Sequence, residues 1–269
     1  MTDSVLLALG LTLFAGLATG IGSLLAFFTS TTNTKFLSFA LGFSAGVMIY
    51  VSMIEIFVKA QDSLVSALGS PFGNWITVIS FFVGMILIAL IDKFIPKQSN
   101  PHEVKKVEDM NQAESLINDP SLLKMGTFAA LAIGIHNFPE GIATFASTLQ
   151  DPGLGIAIAV AIAIHNIPEG IAVSVPVYFA TGSKRKAFKL SFLSGLSEPI
   201  GAIAAYLLLM PILNDVMFGI IFAGVAGIMV FISLDELLPA AKKYDEAHTS
   251  IYGLIGGMAV MAVSLLLFL

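Results

Sequence analysis

Residues Ile133–Thr144 read IGIHNFPEGIAT, and residues Ile162–Val173 read IAIHNIPEGIAV, so the two segments are near copies set 29 residues apart. Each copy places a histidine, an asparagine, a proline and a glutamate inside an apolar stretch long enough to cross a bilayer. Polar groups are costly at membrane depth, so they usually mark the path of an ion or substrate. The duplication predicts two helices that face each other around a shared cation.

The composition indicates a multi-span membrane protein. The chain has 269 residues, of which 57% are hydrophobic and only 12% are charged, whereas a soluble domain carries about 25% charged residues. Cysteine is absent. This excludes disulfides and thiolate metal sites, so metal ligands must be histidine, carboxylate, amide or thioether groups.

Eight apolar segments have the length of a membrane-spanning helix, since about 20 residues cross a hydrocarbon core of about 30 Å. We therefore predict an all-α membrane protein, with residues 1–269 forming one domain. The polar stretch 96–121 is predicted to be a flexible cytoplasmic loop, and the other loops are too short for a soluble catalytic domain. The predicted spans are 4–28, 36–58, 73–95, 124–148, 153–180, 187–210, 214–239 and 250–269.

The basic residues predict the orientation of these spans. With eight spans, Lys59 lies on the side of the two termini and the other twelve lysine and arginine residues lie on the opposite side. Positive charge concentrates in cytoplasmic loops. The distribution therefore predicts that both termini lie outside the cytoplasm.

The two central spans and the sixth span carry the polar constellation. His136 and Glu140 are four residues apart, so both side chains project from one face of the fourth span. The fifth span repeats this spacing in the antiparallel direction, which should bring each histidine near the level of the other glutamate. Pro139 and Pro168 loosen the preceding helical turns. The polar residues concerned are His136, Asn137, Glu140, His165, Asn166, Glu169 and Glu198.

The charge balance around these residues favours a bound cation. No lysine or arginine occurs between Met125 and Ser183, so three carboxylates have no basic side chain at their own depth. Such a carboxylate must take a proton or pair with a cation. Histidine nitrogen beside carboxylate oxygen suits Zn²⁺, Fe²⁺, Mn²⁺ or Co²⁺ better than Ca²⁺ or Mg²⁺. The alternative is a network of interhelical hydrogen bonds with protonated glutamates, which would not require the duplication.

A second group of residues has two explanations each. Glu55 stands four residues before Lys59, so it forms a surface ion pair or lies at the pore entrance. Asp235 and Glu236 of the seventh span are either solvated at the membrane interface or part of a metal exit site. Met48 and Ser52 of the second span either pack against neighbouring helices or line the pathway. These residues are Met48, Ser52, Glu55, Asp235 and Glu236.

The motifs HNFPEG and HNIPEG in consecutive spans, with SEP in the next, resemble the ZIP family of zinc and iron transporters over essentially the whole chain. The resemblance implies a bundle of three, two and three spans, a binuclear metal centre and a homodimer. By likeness, the first metal position would use His136, Glu140, His165 and Glu169. The second would use Asn137, Glu140, Asn166, Glu169 and Glu198, with both glutamates bridging. Some family members carry a carboxylate where Asn166 stands.

We therefore predict uptake of zinc and iron, and also of manganese, cobalt and cadmium, across the cell membrane. The metal is cargo and not a catalytic cofactor, the protein is not an enzyme, and its partners are metal ions and the lipid bilayer but not nucleic acid. A membrane metalloenzyme and a passive cation channel are the alternatives. The HExxH zinc motif of metalloproteases is absent from the sequence.

Overall fold

The computed structural model describes residues 2–28, 34–94, 120–209, 214–243 and 248–267, and these residues contain helices and short turns but no strand. The predicted loop 96–121 lies outside the described residues, except that Pro120 and Ser121 already belong to a helix. The N-terminal helices are α1 (Thr2–Phe28), α2 (Thr34–Tyr50), α3 (Phe57–Leu68) and α4 (Ser70–Phe94).

Two long helices carry the duplicated motif, and shorter helices follow them. The motif helices are α5 (Pro120–Gln150) and α6 (Pro152–Thr181). The C-terminal helices are α7 (Lys184–Gly195), α8 (Ser197–Ala204), α9 (Asp215–Ile232), α10 (Leu238–Lys243) and α11 (Thr249–Leu267). Short π-helical segments at Val51–Ile56, Ala205–Leu209 and Ser233–Leu237 extend α2, α8 and α9.

Seven helical runs in the described residues are long and apolar enough to cross a membrane, and they match seven of the eight predicted spans. Helix α5 corresponds to the remaining predicted span and has 31 residues. The second span is longer than predicted, because the helical run continues from Lys35 to Leu68 through α3. A helix can extend beyond the hydrocarbon into the interface, so the charged residues of α3 do not end it.

Local capping explains the tight connection between the motif helices and the start of α7. Asp151 caps α6, since its side chain accepts hydrogen bonds from the backbone amides of Gly153 and Leu154, at 2.8 and 3.4 Å. Gly182 ends α6 with φ of 62°, a left-handed conformation that glycine adopts without strain. Ser183 then caps α7 by accepting from the Lys186 amide.

The helices form two groups. The motif bundle, which we define as α1, α5, α6, α7 and α8, surrounds the two motif helices. The outer bundle consists of α2, α3, α4, α9, α10 and α11. The two bundles meet where α2 packs on α6 and α5 packs on α9. The duplicated motif therefore lies inside one bundle and close to the boundary with the other.

Candidate metal centre

The two motif helices bring their histidines and glutamates into one cluster. Within α5, His136 Nε2 lies 3.2 Å from Glu140 Oε1, as the spacing of four residues predicts. Between the helices, His136 Nε2 lies 3.4 Å from Glu169 Oε1, and His165 Nε2 lies 3.3 Å from Glu140 Oε1. The antiparallel packing of α5 on α6 thus pairs each histidine with the glutamate of the other helix.

Three of these residues lie close enough together, in the described part of the chain, to contact one metal ion. The candidate ligand atoms of His136, His165 and Glu169 all lie within 4.8 Å of one another. Glu140 touches both histidines. The cluster can therefore supply two imidazole nitrogens and two carboxylates, the ligand types that Zn²⁺ and neighbouring divalent transition metals accept.

The cluster is buried and its polar atoms are poorly paired. His136 is 4% exposed, and His165, Glu140 and Glu169 are each 1% exposed. Among the residues that the structure describes, both carboxylate oxygens of Glu169 and the Nδ1 atoms of both histidines have no hydrogen-bond partner. Buried polar groups are normally hydrogen-bonded. We expect such a concentration of unpaired buried polar atoms at a site that binds a charged ligand.

The two motif asparagines make hydrogen bonds to flanking helices. Asn166 donates from Nδ2 to the Ala15 carbonyl of α1 at 3.0 Å and, through a short contact, to Glu198 Oε1. Asn137 donates to the Ser194 carbonyl of α7 at 3.4 Å. The structure therefore joins Asn166 to Glu198, whereas the amide nitrogen of Asn137 is directed to the backbone.

Glu198 lies beside an interruption of the sixth span and contacts Asn166 of α6. It lies in the first turn of α8 and is fully buried. Pro199 has no N–H to continue the α7 ladder, but it is accepted within the first turn of a new helix. The break at Leu196 separates α7 from α8, which starts at Ser197 and includes Glu198 in its first turn. The remaining oxygen, Oε2, has no hydrogen-bond partner in the described residues.

The glycine that ends each motif sets how closely the motif helices approach their neighbours. A Cβ atom at Gly141 would collide with the Glu198 carbonyl oxygen, and one at Gly170 would collide with the Thr19 carbonyl oxygen. Only glycine permits such close approach. The two glycines thus bring α5 against α8 and α6 against α1, which holds the asparagines within reach of their acceptors.

The candidate pathway residues of the second span differ in how deeply they are buried. Met48 and Ser52 are fully buried, and Ser52 Oγ has no partner among the described residues. Glu55 Oε1 lies 3.9 Å from Lys59 Nζ, which confirms the predicted ion pair. Both Ser52 and Glu55 belong to the π-helical segment Val51–Ile56. Such segments often occur at functional sites.

The two adjacent acidic residues of the seventh span differ in their exposure. Asp235 is exposed, whereas Glu236 is buried. Glu236 lines a small cavity together with His136 and Asp92. Sequence reasoning did not single out Asp92, because an aspartate beside Lys93 at the end of α4 looks like an ordinary charged helix end. Only the packing of α4 on α9 places it near the histidine.

Comparison with known proteins agrees with this geometry. The sequence profile of the family described as ZIP Zinc transporter matches residues 95–265, which include the motif helices and the rest of the C-terminal half. The chain belongs to the ZIP family of metal transporters, as the duplicated motif predicts.

Three similar proteins within the family are bacterial and carry the same name. The chain is 74% identical to the zinc transporter ZupT of Lysinibacillus sphaericus over 99% of both chains. It is 73% identical to ZupT of Oceanobacillus iheyensis, over 98% of this chain and 99% of the relative. It is 62% identical to ZupT of Streptococcus mutans over the full length of both. The protein is thus a multi-pass membrane transporter and not an enzyme, which confirms that prediction.

Proposed function

We propose that this protein takes up divalent transition-metal ions across the cell membrane, with zinc as the principal cargo. Iron, manganese, cobalt and cadmium are further substrates, because one set of histidine and carboxylate ligands accepts several of these ions. The observation that carries the proposal is the buried His136–Glu140–His165–Glu169 cluster, whose orphaned polar atoms need a charged ligand.

The distances in the cluster support a metal position between the two motif helices. Charge-assisted hydrogen bonds between nitrogen and oxygen are about 2.7–2.9 Å long. The three histidine–glutamate distances are instead 3.2, 3.3 and 3.4 Å. Two ligand atoms bonded to one tetrahedral zinc at about 2.0–2.1 Å are separated by about 3.3 Å. We assign His136, Glu140, His165 and Glu169 as the ligands of this first position.

A second position is proposed next to the first, so that the centre is binuclear. The contact between Asn166 and the buried carboxylate of Glu198 supports it. The unpaired Glu198 Oε2 and the unpaired Asn137 Oδ1 are further candidate ligand atoms. We assign Asn137, Asn166 and Glu198 to this position, with Glu140 and Glu169 shared between both ions. With two amides among these ligands, it is the less anionic of the two positions.

The helix contacts support a bundle of three, two and three spans, in which the last three spans repeat the first three in inverted orientation. Exchanging the first three spans with the last three, and α5 with α6, converts the α1–α6 contact into the α7–α5 and α8–α5 contacts. It also converts the α2–α11 contact into the α4–α9 contact. The Asn166–Ala15 and Asn137–Ser194 hydrogen bonds follow the same exchange. Inverted repeats of this kind place substrates at the middle of the membrane.

We propose that the ion moves inward, from the side of the termini to the side of the basic loops. The positive-inside distribution of lysine and arginine supports this orientation. Met48 and Ser52, which are buried in the second span, are assigned to the outer part of the path. Asp92 and Glu236, which share a small cavity with His136, are assigned to the cytoplasmic exit. The homodimer remains a prediction.

The test is uptake of labelled zinc and iron by proteoliposomes that contain the wild type, Glu140→Ala or Glu169→Ala. We expect saturable uptake by the wild type and loss of uptake in both variants. Asp62→Asn is the matched control, since it removes an exposed carboxylate of α3. Unchanged uptake in both glutamate variants would remove the metal-centre proposal. Large, weakly saturating currents would instead indicate a channel.

A further inference from the structure

An apolar groove opens on one side of the molecule, between the outer bundle and the motif bundle. It lies between α4, α5 and α7 and has a volume of about 640 Å³. This volume falls within the range of roughly 300–1,000 Å³ that is typical of ligand pockets. Its rim consists of three leucines that are about half exposed, namely Leu87 (51%), Leu131 (52%) and Leu193 (49%).

The groove extends over half of a membrane. Its lining on α5 runs from Thr127 to Phe138 and Pro139, and eleven residues of helix correspond to about 17 Å. The hydrocarbon core is about 30 Å thick. The groove therefore has the length of one leaflet, and its inner end stops at the residue before Glu140. Because the helices that form it span the membrane, hydrocarbon chains surround its open side.

Basic residues lie beyond the end of the groove that is farthest from Glu140. On α7 and α8 the lining residues Leu190, Leu193 and Ser197 follow a helical stripe. Lys186 and Lys189, both exposed, lie one turn earlier on the same stripe. Lys93, also exposed, lies in the last turn of the facing helix α4. Three exposed lysines thus lie at the ends of the helices that line the groove, where these helices would leave the hydrocarbon core.

We propose that this groove binds an anionic phospholipid from the leaflet on the basic side. One acyl chain occupies the groove, and its phosphate group lies beside Lys186 and Lys189. An anionic phospholipid matches both features, because it joins a long apolar chain to a negative headgroup. Zwitterionic lipid would fill the groove without the electrostatic gain that lysines near a negative headgroup provide.

The bound lipid would pack against residues that adjoin the metal centre. Phe138 and Pro139 line the groove and directly precede Glu140. Ser194 also lines it, and the Ser194 carbonyl accepts the Asn137 amide at 3.4 Å. A chain packed between α4 and these residues would fill space at the boundary of the two bundles. The lipid is therefore a structural ligand of the region that holds the ion.

Native mass spectrometry of the delipidated full-length protein tests this inference, with phosphatidylglycerol and phosphatidylcholine of identical acyl chains added in turn. We expect the wild type to retain phosphatidylglycerol in preference to phosphatidylcholine. The double variant Lys186→Gln/Lys189→Gln should weaken phosphatidylglycerol binding by roughly tenfold or more, since each lysine near an anionic headgroup contributes a several-fold gain. Lys242→Gln/Lys243→Gln is the control, because it removes the same charge from α10, which does not line the groove.

A second variant tests the groove itself. A Cβ at Gly134 would have its nearest neighbour, Ser197 Oγ, at 3.5 Å, so a side chain fits there and would project into the cavity. Gly134→Leu should reduce retention of both lipids, whereas Gly134→Ala should not. Equal binding of the two lipids by the wild type would overturn the proposal. So would equal losses in the two lysine variants, or full lipid retention by a folded Gly134→Leu protein.

Discussion

His136 Nε2 lies 3.4 Å from Glu169 Oε1, although the two residues belong to different copies of the motif on antiparallel helices. The reciprocal pair, His165 with Glu140, has a distance of 3.3 Å. Each copy therefore supplies half of a cluster that neither helix could build alone. This explains why the motif occurs twice, and it means that the loss of one copy should disable the whole centre.

The first prediction is that Glu169→Gln weakens zinc binding without destabilising the metal-free protein. Glu169 Oε2 has no hydrogen-bond partner in the described residues, and Oε1 makes only the long 3.4 Å contact with His136 Nε2, so a neutral amide of the same shape disturbs little besides removing a buried charge. Changes even to residues that only support a ligand reduce metal affinity by about 10–100-fold, so we expect at least tenfold weaker binding. Isothermal titration with zinc and thermal stability in chelator measure the two effects. A wild-type zinc affinity would contradict the assignment of Glu169.

The second prediction concerns the amide that contacts Glu198. Asn166→Asp replaces a donor to Glu198 Oε1 and to the Ala15 carbonyl with a second carboxylate. Leaving such buried groups without a partner costs about 1–3 kcal/mol, so the variant should be less stable in chelator. Added zinc should restore the stability, because the ion would then lie between two carboxylates. Thermal unfolding in detergent with and without zinc measures this.

The matched control is Asn214→Asp. Asn214 is an exposed N-cap whose side chain accepts from the Met217 amide, and aspartate caps a helix equally well. This control should leave stability unchanged at any zinc concentration. If Asn166→Asp also responds to neither chelator nor zinc, Asn166 does not belong to a metal position.

The central cluster could be predicted from sequence because its geometry is local and duplicated. The spacing of four residues fixes His136 and Glu140 on one face, and a short link capped by Asp151 makes α5 and α6 antiparallel neighbours. Those two facts suffice to pair each histidine with the opposite glutamate. The spans could likewise be predicted from their length and hydropathy, and seven of them match helical runs.

Features that depend on packing between distant helices could not be predicted. The interruption at Leu196 and the π-helical segments leave no clear signal in hydropathy. Residues 59–68 fall outside the predicted span 36–58, yet they continue the helix to Leu68. Asp92 approaches the cavity beside His136 only because α4 packs on α9. Helix periodicity alone contains none of this information.

The third prediction is that Gly141→Ala and Gly170→Ala both disrupt the fold around the centre. A methyl group at either position would meet a backbone carbonyl of the adjacent helix, which cannot move aside as a flexible side chain can. Overpacking of this kind costs about 1–3 kcal/mol. Gly10→Ala is the control, since nothing lies within 4 Å of its Cβ position. Thermal unfolding and zinc uptake should both fall in the first two variants and be unchanged in the third.

The fourth prediction concerns orientation, and the absence of native cysteines makes it simple to test. Ser66→Cys and Arg185→Cys introduce thiols at exposed positions that the positive-inside distribution assigns to opposite sides. In intact cells a membrane-impermeant maleimide should label Ser66→Cys, and it should label Arg185→Cys only after lysis. The reverse pattern would place the termini in the cytoplasm and would invert the proposed direction of transport.

The last prediction separates the two acidic neighbours at the end of the seventh span. Glu236 is buried and shares a small cavity with His136 and Asp92, whereas Asp235 is exposed. If Glu236 receives the ion after it leaves the cluster, Glu236→Gln should slow zinc uptake by roughly tenfold while zinc still binds the central cluster with its original affinity. Asp235→Asn removes one carboxylate from the adjacent position and should change neither quantity. Initial uptake rates in proteoliposomes, together with equilibrium binding in detergent, distinguish an exit ligand from a residue of the central site, because a central ligand would lose affinity and rate together. Equal rates for Glu236→Gln and Asp235→Asn would instead assign Glu236 a structural role at the boundary between the two bundles.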